Sequence, residues 1–380
     1  MEKIEYAICS NCIMDTTDQQ IFFDERGICN HCLSFEQQYK LIPKEDFNES
    51  QQFKATIEEI KKNSKNNKYD CILGLSGGVD SSYMAYLCKE ANLNPLVVHF
   101  DNGWNSELAV NNIEKIVNKL GFELYTFVIN WEEFKDLQLS YFKASVLDLE
   151  VPTDHLIFGA LFEVAKKNKI HSIISGYNTS SEGIMPRSWL YEHKFDRANM
   201  KDIHNTFGNG KMKNLPTLGL WQRFYFTKIY KFKQFHLLQS FNYNKVEAKK
   251  LLIEKFDWQD YGGKHYESVF TRFYQGYILP KKFGIDKRRA HLSTLINAGQ
   301  ITREMALGEM ELPTYDLNLQ QNDIDYICKK WGISKIYFEK IMNLPINEHS
   351  NFKEEILLEK KINKLIKIIK PFIPSKFKNG

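Results

Sequence analysis

The stretch Tyr69–Tyr86, YDCILGLSGGVDSSYMAY, decides the fold. Tyr69 to Leu75 is short, largely apolar and bounded by Lys/Asn on one side and Gly on the other, the pattern of a buried strand. Ser76-Gly77-Gly78-Val79-Asp80-Ser81-Ser82 follows at once, and Tyr83-Met84-Ala85-Tyr86-Leu87 opens an apolar helical pattern. A strand, a glycine-rich turn and a helix N-terminus make an anion site. The first-turn N–H groups lack partners within the helix, and the helix dipole favours negative charge there. Gly77 and Gly78 let the backbone approach a phosphate closely, while Ser76, Ser81 and Ser82 add hydroxyl donors. Asp80 beside a polyanion needs a cation between them, so it is assigned to Mg²⁺. The same residue types also serve a plain strand-to-helix turn, with glycine for geometry and Ser or Asp as caps. The complete string between strand and helix favours the anion site.

The chain contains neither G-x-x-x-x-G-K-[ST] nor G-x-G-x-x-G. The string instead resembles the PP-loop of the ATP pyrophosphatases, which cleave ATP between the α and β phosphates and usually transfer AMP to a carbonyl or amide oxygen. Asparagine synthetase, GMP synthetase, argininosuccinate synthetase and tRNA thiolation enzymes share that loop. The resemblance implies ATP contacts from Leu75, Ser76, Gly77, Gly78, Val79, Asp80, Ser81 and Ser82.

With 380 residues, two or three domains and a substantial core are expected. A composition of 43% hydrophobic and 26% charged residues is that of a globular protein, and aromatics reach 14%. A net charge of +4 does not call for a nucleic-acid partner, and none is expected. Met1 to Ser10 carries acidic residues and no apolar signal core, and no apolar run approaches the length of a membrane span. Seven cysteines, four of them in two C-x-x-C pairs, fit metal ligation in a reducing cytoplasm better than disulfides.

Those pairs are Cys9-Ser-Asn-Cys12 and Cys29-Asn-His-Cys32, the spacing of a four-cysteine zinc ribbon. Residues 1–45 are expected to form this ribbon, with metal ligation as the main source of its folding energy. A redox dithiol or two disulfides are the competing readings. His31, between two ligands, is expected as a group beside the site. A closed four-thiolate site has no open position and reads as structural.

Residues 46–240 read as a doubly wound α/β domain. A helix carries Phe53, Ile57 and Ile60 on one face. The second strand, Asn94 to Phe100, ends in Asp101-Asn102-Gly103-Trp104. Ligands bind at the carboxyl ends of such strands, so Phe100, Asp101 and Asn102 are placed to meet nucleotide, although Asp101 and Asn102 also suit a plain turn. A helix from Leu108 to Leu120, a strand from Phe122 to Ile129 and a helix from Phe134 to Leu149 follow. Thr153 or Asp154 is expected to cap the next helix. The fourth strand, Ile170 to Ser175, ends in Gly176-Tyr177-Asn178, which resembles the second ATP-side turn of PP-loop proteins, with Gly176 and Asn178 as its nucleotide contacts. Residues 183–240 interleave aromatics and bases, which can stack on bases or sugar rings or simply build a core. Tyr225 to Phe235 reads as either strand or helix.

Residues 241–380 read as mostly helical and as completing the active site, with a terminal helix around Ile362, Leu365, Ile366 and Ile369. The run Tyr261-Gly262-Gly263-Lys264-His265-Tyr266-Glu267-Ser268 and the later Asp286-Lys287-Arg288-Arg289 are dense in functional groups. Lys264, Lys287 and Arg288 are candidates to neutralise a leaving pyrophosphate, and Glu267 to orient Lys264 or move a proton. A solvated basic helix face is the alternative for Lys287-Arg288-Arg289.

The ribbon, SGGVDSS with HFDNGW downstream, and YGGKHYESVFTRFYQGYILPKKFGIDKRRAHLS together resemble the N-acetyl sugar amidotransferase family of bacterial surface-polysaccharide and flagellar-glycan biosynthesis. The resemblance implies ATP- and Mg²⁺-dependent conversion of an acetamido group on a free or nucleotide-linked sugar into an acetamidino group. Precursors of pseudaminic, legionaminic or diacetamido-uronic acids would all suit. Residue 2 is Glu, which leaves no N-terminal cysteine nucleophile, so ammonia is expected from a separate glutaminase partner or from free ammonium. A homo-oligomer is compatible with the sequence. The main rival is a tRNA sulfur-transfer enzyme, for which only Cys71, Cys88 and Cys328 remain as reactive thiols.

Overall fold

The computed structural model describes residues 5–263 and 266–356. The strand signal at Tyr69–Leu75 becomes β1 (Cys71–Gly74), and the other apolar runs become β2 (Pro95–Asp101), β3 (Glu123–Val128) and β4 (Ser172–Ile174). A fifth strand, β5 (Lys233–Phe235), completes a sheet ordered β3-β2-β1-β4-β5. Every pairing is parallel. The chain winds outward from β1 in one direction to β3, then returns to the other side of β1 for β4 and β5. The expected doubly wound α/β fold is therefore present, and its switch point lies between β1 and β4, where such sheets bind ligands.

Helices α1 (Asn30–Tyr39), α2 (Gln51–Asn63), α3 (Val79–Glu90), α4 (Glu107–Leu120), α5 (Trp131–Ala144) and α6 (Val151–Asn168) alternate with the strands after the ribbon. Side chains of a strand alternate between its faces. Cys71, Leu73 and Leu75 accordingly join the core formed with α2, α3 and α4, whereas Ile72 faces Leu161, Val164 and Ala165 of α6. Ile113, Ile116, Val117 and Leu120 are the buried stripe of α4, as their spacing predicts. Ser106 caps that helix, and Gly121 ends it at φ +68°, a left-handed conformation that glycine adopts without Cβ strain.

Three local expectations change. Helix α6 begins at Val151 rather than after Thr153 or Asp154, because Pro152 sits in its first turn, where a missing N–H costs nothing. The ambiguous stretch divides: Leu220–Phe224 continues as a π-helical turn through Tyr225–Ile229, and β5 follows. The ribbon is no freestanding metal module, since Cys9, Cys12, Cys29, Cys32 and Phe35 of α1 belong to the largest hydrophobic core.

Beyond β5 the described chain is helical, as expected: Lys245–Phe256, Val269–Phe273 with its π-helical continuation Tyr274–Phe283, Arg288–Asn297, Arg303–Glu311, Leu317–Trp331 and Lys335–Met342. Pro280 lies inside that continuation, where it removes a backbone donor from the ladder. The terminal helix expected beyond Lys360 lies outside the described residues. Among the described residues, no helix is long and apolar enough to cross a membrane.

Candidate active site at the glycine-rich loop

β1 ends at Gly74, and the N–H of the next residue, Leu75, still donates to Val98 O of β2. Gly77 then turns with φ +86°, and a Cβ there would lie 2.7 Å from the carbonyl oxygen of Ala109. No other residue fits. Gly78 is the N-cap of α3. The serines knit the loop together: Ser81 Oγ accepts from Ser76 N–H at 3.3 Å and donates to Gly78 O at 3.2 Å, and Ser76 Oγ accepts from Gly78 N–H at 3.3 Å. Ser82 is buried behind the loop. The Gly77 carbonyl, an acceptor that would repel phosphate, accepts from Trp258 Nε1 at 2.9 Å and from the Tyr261 hydroxyl.

Asp80 stands in the first turn of α3. Its Oδ1 accepts from the Tyr243 hydroxyl at 2.6 Å and its Oδ2 from Lys245 Nζ at 2.9 Å. Sequence reasoning missed both partners. The Asn244 side chain caps the helix that begins at Lys245, accepting from Val246 and Glu247 N–H, and so fixes where that lysine emerges. Burial opposes the Lys245 ammonium, but Asp80, Glu182 and Glu267 outweigh it and raise its pKa. Burial, followed by Asp80, pushes the Tyr243 phenol well up. An Asn before an apolar periodic run was the available signal for the cap; no local pattern pointed from Lys245 to Asp80.

The two other strand-end turns reach the same place. A Cβ on Gly176, just after β4, would lie 3.3 Å from Met84 Cε and 3.9 Å from Asp80 Cβ, so this turn lies against the start of α3. Asn178 is fully buried, accepts from Ser181 N–H at 2.8 Å and donates to Gly176 O at 3.3 Å; its amide builds the turn. After β2, Asp101 Oδ1 accepts from Gly103 N–H at 2.9 Å and Asn102 Oδ1 from Trp104 N–H at 3.1 Å. These side chains shape their turn, and Phe100 stacks on Phe127 with centroids 5.9 Å apart. Buried His99 links β2 to the loop, with Nδ1 3.2 Å from Leu75 O; burial lowers its pKa.

The C-terminal run is carried to the loop by backbone pairing. Asn105 and Ser268 form an antiparallel bridge, Ser106 N–H donates to Glu267 O at 2.9 Å, and Val269 N–H donates to Trp104 O at 2.9 Å. The Glu267 carboxylate thereby comes to the glycines, with Oε1 3.8 Å from where a Gly78 Cβ would be. Lys264 lies outside the described residues. Lys287 is buried, its ammonium 5.7 Å from the Tyr274 ring centroid. Arg288 is a correction: Nε and Nη2 bind Asp286, and Nη1 binds the carbonyls of Glu309, Leu312 and Pro313. Its three nitrogens are thus engaged, two by the Asp286 carboxylate and one by the carbonyls of residues 309–313, and so are not held out for pyrophosphate. Arg289 reaches the ribbon instead, donating to Ile13 O at 2.6 Å and pairing with Asp15 at 3.1 Å. The Lys-Arg-Arg cluster is therefore not a solvated face.

In the ribbon, the four thiol sulfurs lie within 4.8 Å of one another and all four residues are buried. The close sulfur pairs are 3.7–3.9 Å apart, too far for a disulfide. Four thiolates 2.3 Å from one tetrahedral ion would be about 3.8 Å apart. N–H groups of Cys29, Asn11 and Asn297 point at the sulfurs at 3.2–3.4 Å, which stabilises thiolate charge. The residues fit a single four-coordinate metal ion. His31 is no ligand: Nε2 is 2.6 Å from Asp18, which also accepts from Ser188. The ribbon docks by Arg303, which donates to the carbonyls of Cys12 and Cys9 at 3.0 and 3.1 Å. Phe35 packs against the end of the short helix Thr179–Glu182 that follows β4, where a Cβ on Gly183 would meet Phe35 at 2.8 Å and Thr179 O at 2.6 Å.

Within the aromatic run 183–240, Trp189 and Tyr191 are core, and Lys194 pairs with Asp154 at 2.5 Å and Asp148 at 3.3 Å. Trp221 is 69% exposed beside a cavity of about 460 Å³ between α6 and the segment Pro216–Phe226. None of the loop residues line that cavity.

Comparison with known proteins agrees with this division. Residues 267–366 match the family model described as LPS biosynthesis protein WbpG-like, C-terminal domain, and residues 50–144 match the NAD synthase model. The first match begins at Glu267, the residue that the backbone bridge brings to the loop. An uncharacterized protein of Methanocaldococcus jannaschii, MJ1599, is 26% identical over 80% of this chain and 93% of its own length. A tRNA-specific 2-thiouridylase, MnmA 2 of Fusobacterium nucleatum, is 26% identical over 35% of this chain, which spans only 38% of that relative. Among solved structures, the NH3-dependent NAD synthetase of Campylobacter jejuni aligns at 14% identity and a TM-score of 0.33, covering 76% of this chain and 97% of its own. The U34-tRNA thiolase NcsA of Methanococcus maripaludis with its [4Fe-4S] cluster aligns at 15% identity and a TM-score of 0.31, covering 83% and 92%. Residues 50–144 are thus similar to the NAD synthase model, and residues 267–366 to the model described as WbpG-like, C-terminal domain.

Proposed function

We propose that the protein is an ATP-dependent, AMP-forming amidotransferase that converts an acetamido group of a bacterial sugar into an acetamidino group. The observation that carries this reading is the bridge between Asn105 and Ser268, which brings the WbpG-like domain and its Glu267 onto the glycine-rich loop. An amide carbon is a weak electrophile, and its oxygen leaves poorly. Attack of that oxygen on the α-phosphorus releases pyrophosphate and turns the oxygen into part of an AMP leaving group. Ammonia then adds to the imidate carbon, and AMP departs.

The loop N–H groups and the α3 N-terminus hold the β and γ phosphates. Asp80 would hold Mg²⁺, which would supply charge neutralisation to the phosphates. Glu267 takes a proton from the incoming ammonia, and Lys264 and Lys287 offset the charge of the departing pyrophosphate. Cys9, Cys12, Cys29 and Cys32 would hold zinc, which would keep the ribbon closed and Phe35 seated against the end of the short helix Thr179–Glu182. Ammonia comes from a separate glutaminase subunit, and the reaction is cytoplasmic, on precursors of pseudaminic- or legionaminic-type sugars used in lipopolysaccharide or flagellin glycosylation.

The test is mass spectrometry after incubation with ATP, ammonium and a panel of free, CMP- and UDP-linked acetamido sugars. The expected product carries an amidine in place of the amide, with AMP and not ADP released. ADP, or no amidine from any sugar, would overturn the reading. The partial match to tRNA 2-thiouridylases keeps sulfur transfer to tRNA as the second reading. It would need a reactive thiol near the loop, whereas Cys71, Cys88 and Cys328 are all buried.

A further inference from the structure

We propose that Lys245 is a polyphosphate ligand of the ATP site, held against Asp80 until a divalent cation takes over that carboxylate. The proposal rests on the ATP-binding reading of the loop but not on the identity of the acceptor.

Lys245 is the first residue of its helix, the end at which the backbone dipole disfavours a cation. Its side chain is only 25% exposed, and that of Asp80 18%. A lysine placed this unfavourably needs a compensating anion, and the Asp80 carboxylate of the loop helix supplies it at 2.9 Å. Glu182, on the short helix after β4, and Glu267, on the C-terminal segment, add favourable charge. The pair stands beside a loop built to hold an anion.

An ammonium and a divalent cation compete for the same oxygen. Oδ2 of Asp80 accepts from Lys245, and Oδ1 accepts from Tyr243. A cation that uses Asp80 must displace at least the lysine. A buried ammonium without a counter-ion is costly, and the phosphates gripped by the adjacent helix N-terminus supply one. Metal arrival and phosphate capture are thereby coupled: the metal frees the cation that the phosphates need. A lysine that merely neutralised Asp80 would have no such second partner.

A double-substitution cycle separates the two roles. Binding of inorganic pyrophosphate to the full-length chain is measured calorimetrically in buffer freed of divalent cations, for wild type, Asp80→Asn, Lys245→Gln and the double variant. Releasing the lysine in Asp80→Asn is expected to tighten pyrophosphate binding at least about tenfold, and the double variant to lose that gain entirely. A gain that survives in the double variant would mean that only the Asp80 charge mattered, and no gain in Asp80→Asn would mean that the lysine is not releasable; either overturns the proposal. If Lys245→Gln alone fails to fold, Asp80→Asn against the double variant decides, because the double variant removes both members of the hydrogen-bonded pair together. No sugar or ammonium enters the cycle, so failure to form amidine leaves it standing, and a failed cycle leaves the proposed reaction standing.

Discussion

The indole N–H of Trp258 donates to the carbonyl oxygen of Gly77 across 2.9 Å, between residues 181 positions apart in the chain. Tyr261 donates to the same oxygen. The loop peptide is thus oriented from the C-terminal side, with its one troublesome acceptor turned away from the anion. Trp258→Phe keeps the ring and removes the donor. The lost hydrogen bond should cost about 1–1.5 kcal/mol, roughly tenfold in ATP affinity. Calorimetric titration with MgATP checks this, and an unchanged affinity would mean that the loop holds its shape alone.

Under the proposed reaction Glu267 serves proton transfer rather than nucleotide binding. Glu267→Gln is expected to lower AMP formation on the acetamido sugar by about 10²-fold or more while leaving MgATP affinity within a few-fold. A matching loss in both measurements would make Glu267 a part of the ATP cradle instead.

The sulfur geometry calls for one metal ion per chain. Elemental analysis of protein purified without added metal should find about one equivalent of zinc, with no visible charge-transfer band. Cys12→Ser should lose the metal and lower the melting temperature, because the sulfurs belong to the main core. An iron–sulfur absorption spectrum would replace zinc by a cluster.

His155 gives a pH dependence with a defined sign. Its Nδ1 is 2.9 Å from Lys194 O and its Nε2 accepts from Leu218 N–H at 2.9 Å, so the neutral ring is the bonded form. Burial holds its pKa down to about 4, against 6.5 for the free side chain. The folded state therefore binds fewer protons. This contribution is fully present above pH 6.5 and is lost as pH falls from there towards 4. Urea unfolding at pH 5 should show roughly 2 kcal/mol less stability than at pH 7.5 from this group. His155→Gln should remove that difference, and an equal pH slope in both proteins would refute the assignment.

Sulfur transfer and nitrogen transfer part on three thiols. Burial raises the Cys328 pKa, and hydrogen bonding to Cys88 together with burial raises that of Cys71 well up. Thiolates are the reactive form, so Cys71 and Cys328 are poor nucleophiles, and Cys88 is buried. The triple Cys71→Ser, Cys88→Ser, Cys328→Ser variant should keep amidine formation within a few-fold; complete loss with the fold intact would favour the thiolation reading.

What could be read from the chain was local. The Tyr69–Leu75 strand, the loop, the α4 stripe and the two cysteine knuckles each declare themselves within one period of their own pattern. What could not be read was pairing across distance. Nothing near Lys245 reveals that Asp80 is its partner, and nothing near Arg288 reveals the three carbonyls of the 309–313 turn. Asp101 and Asn102 look alike as turn formers and as ligand contacts, because one Asx side chain serves both uses. No local pattern shows that Phe35 packs against the end of the short helix Thr179–Glu182, since that contact depends on the packing of whole elements.

The bond from Arg303 to the Cys9 carbonyl spans 294 positions. On the ribosome, at about 5–20 residues per second, the knuckles emerge roughly 15–60 seconds before the arginine that docks them. A metal ion held by the four cysteines would keep them together over that interval. Assembly would then depend on metal supply during translation rather than after release, and a chain starved of metal would present its docking arginine to an unshaped ribbon.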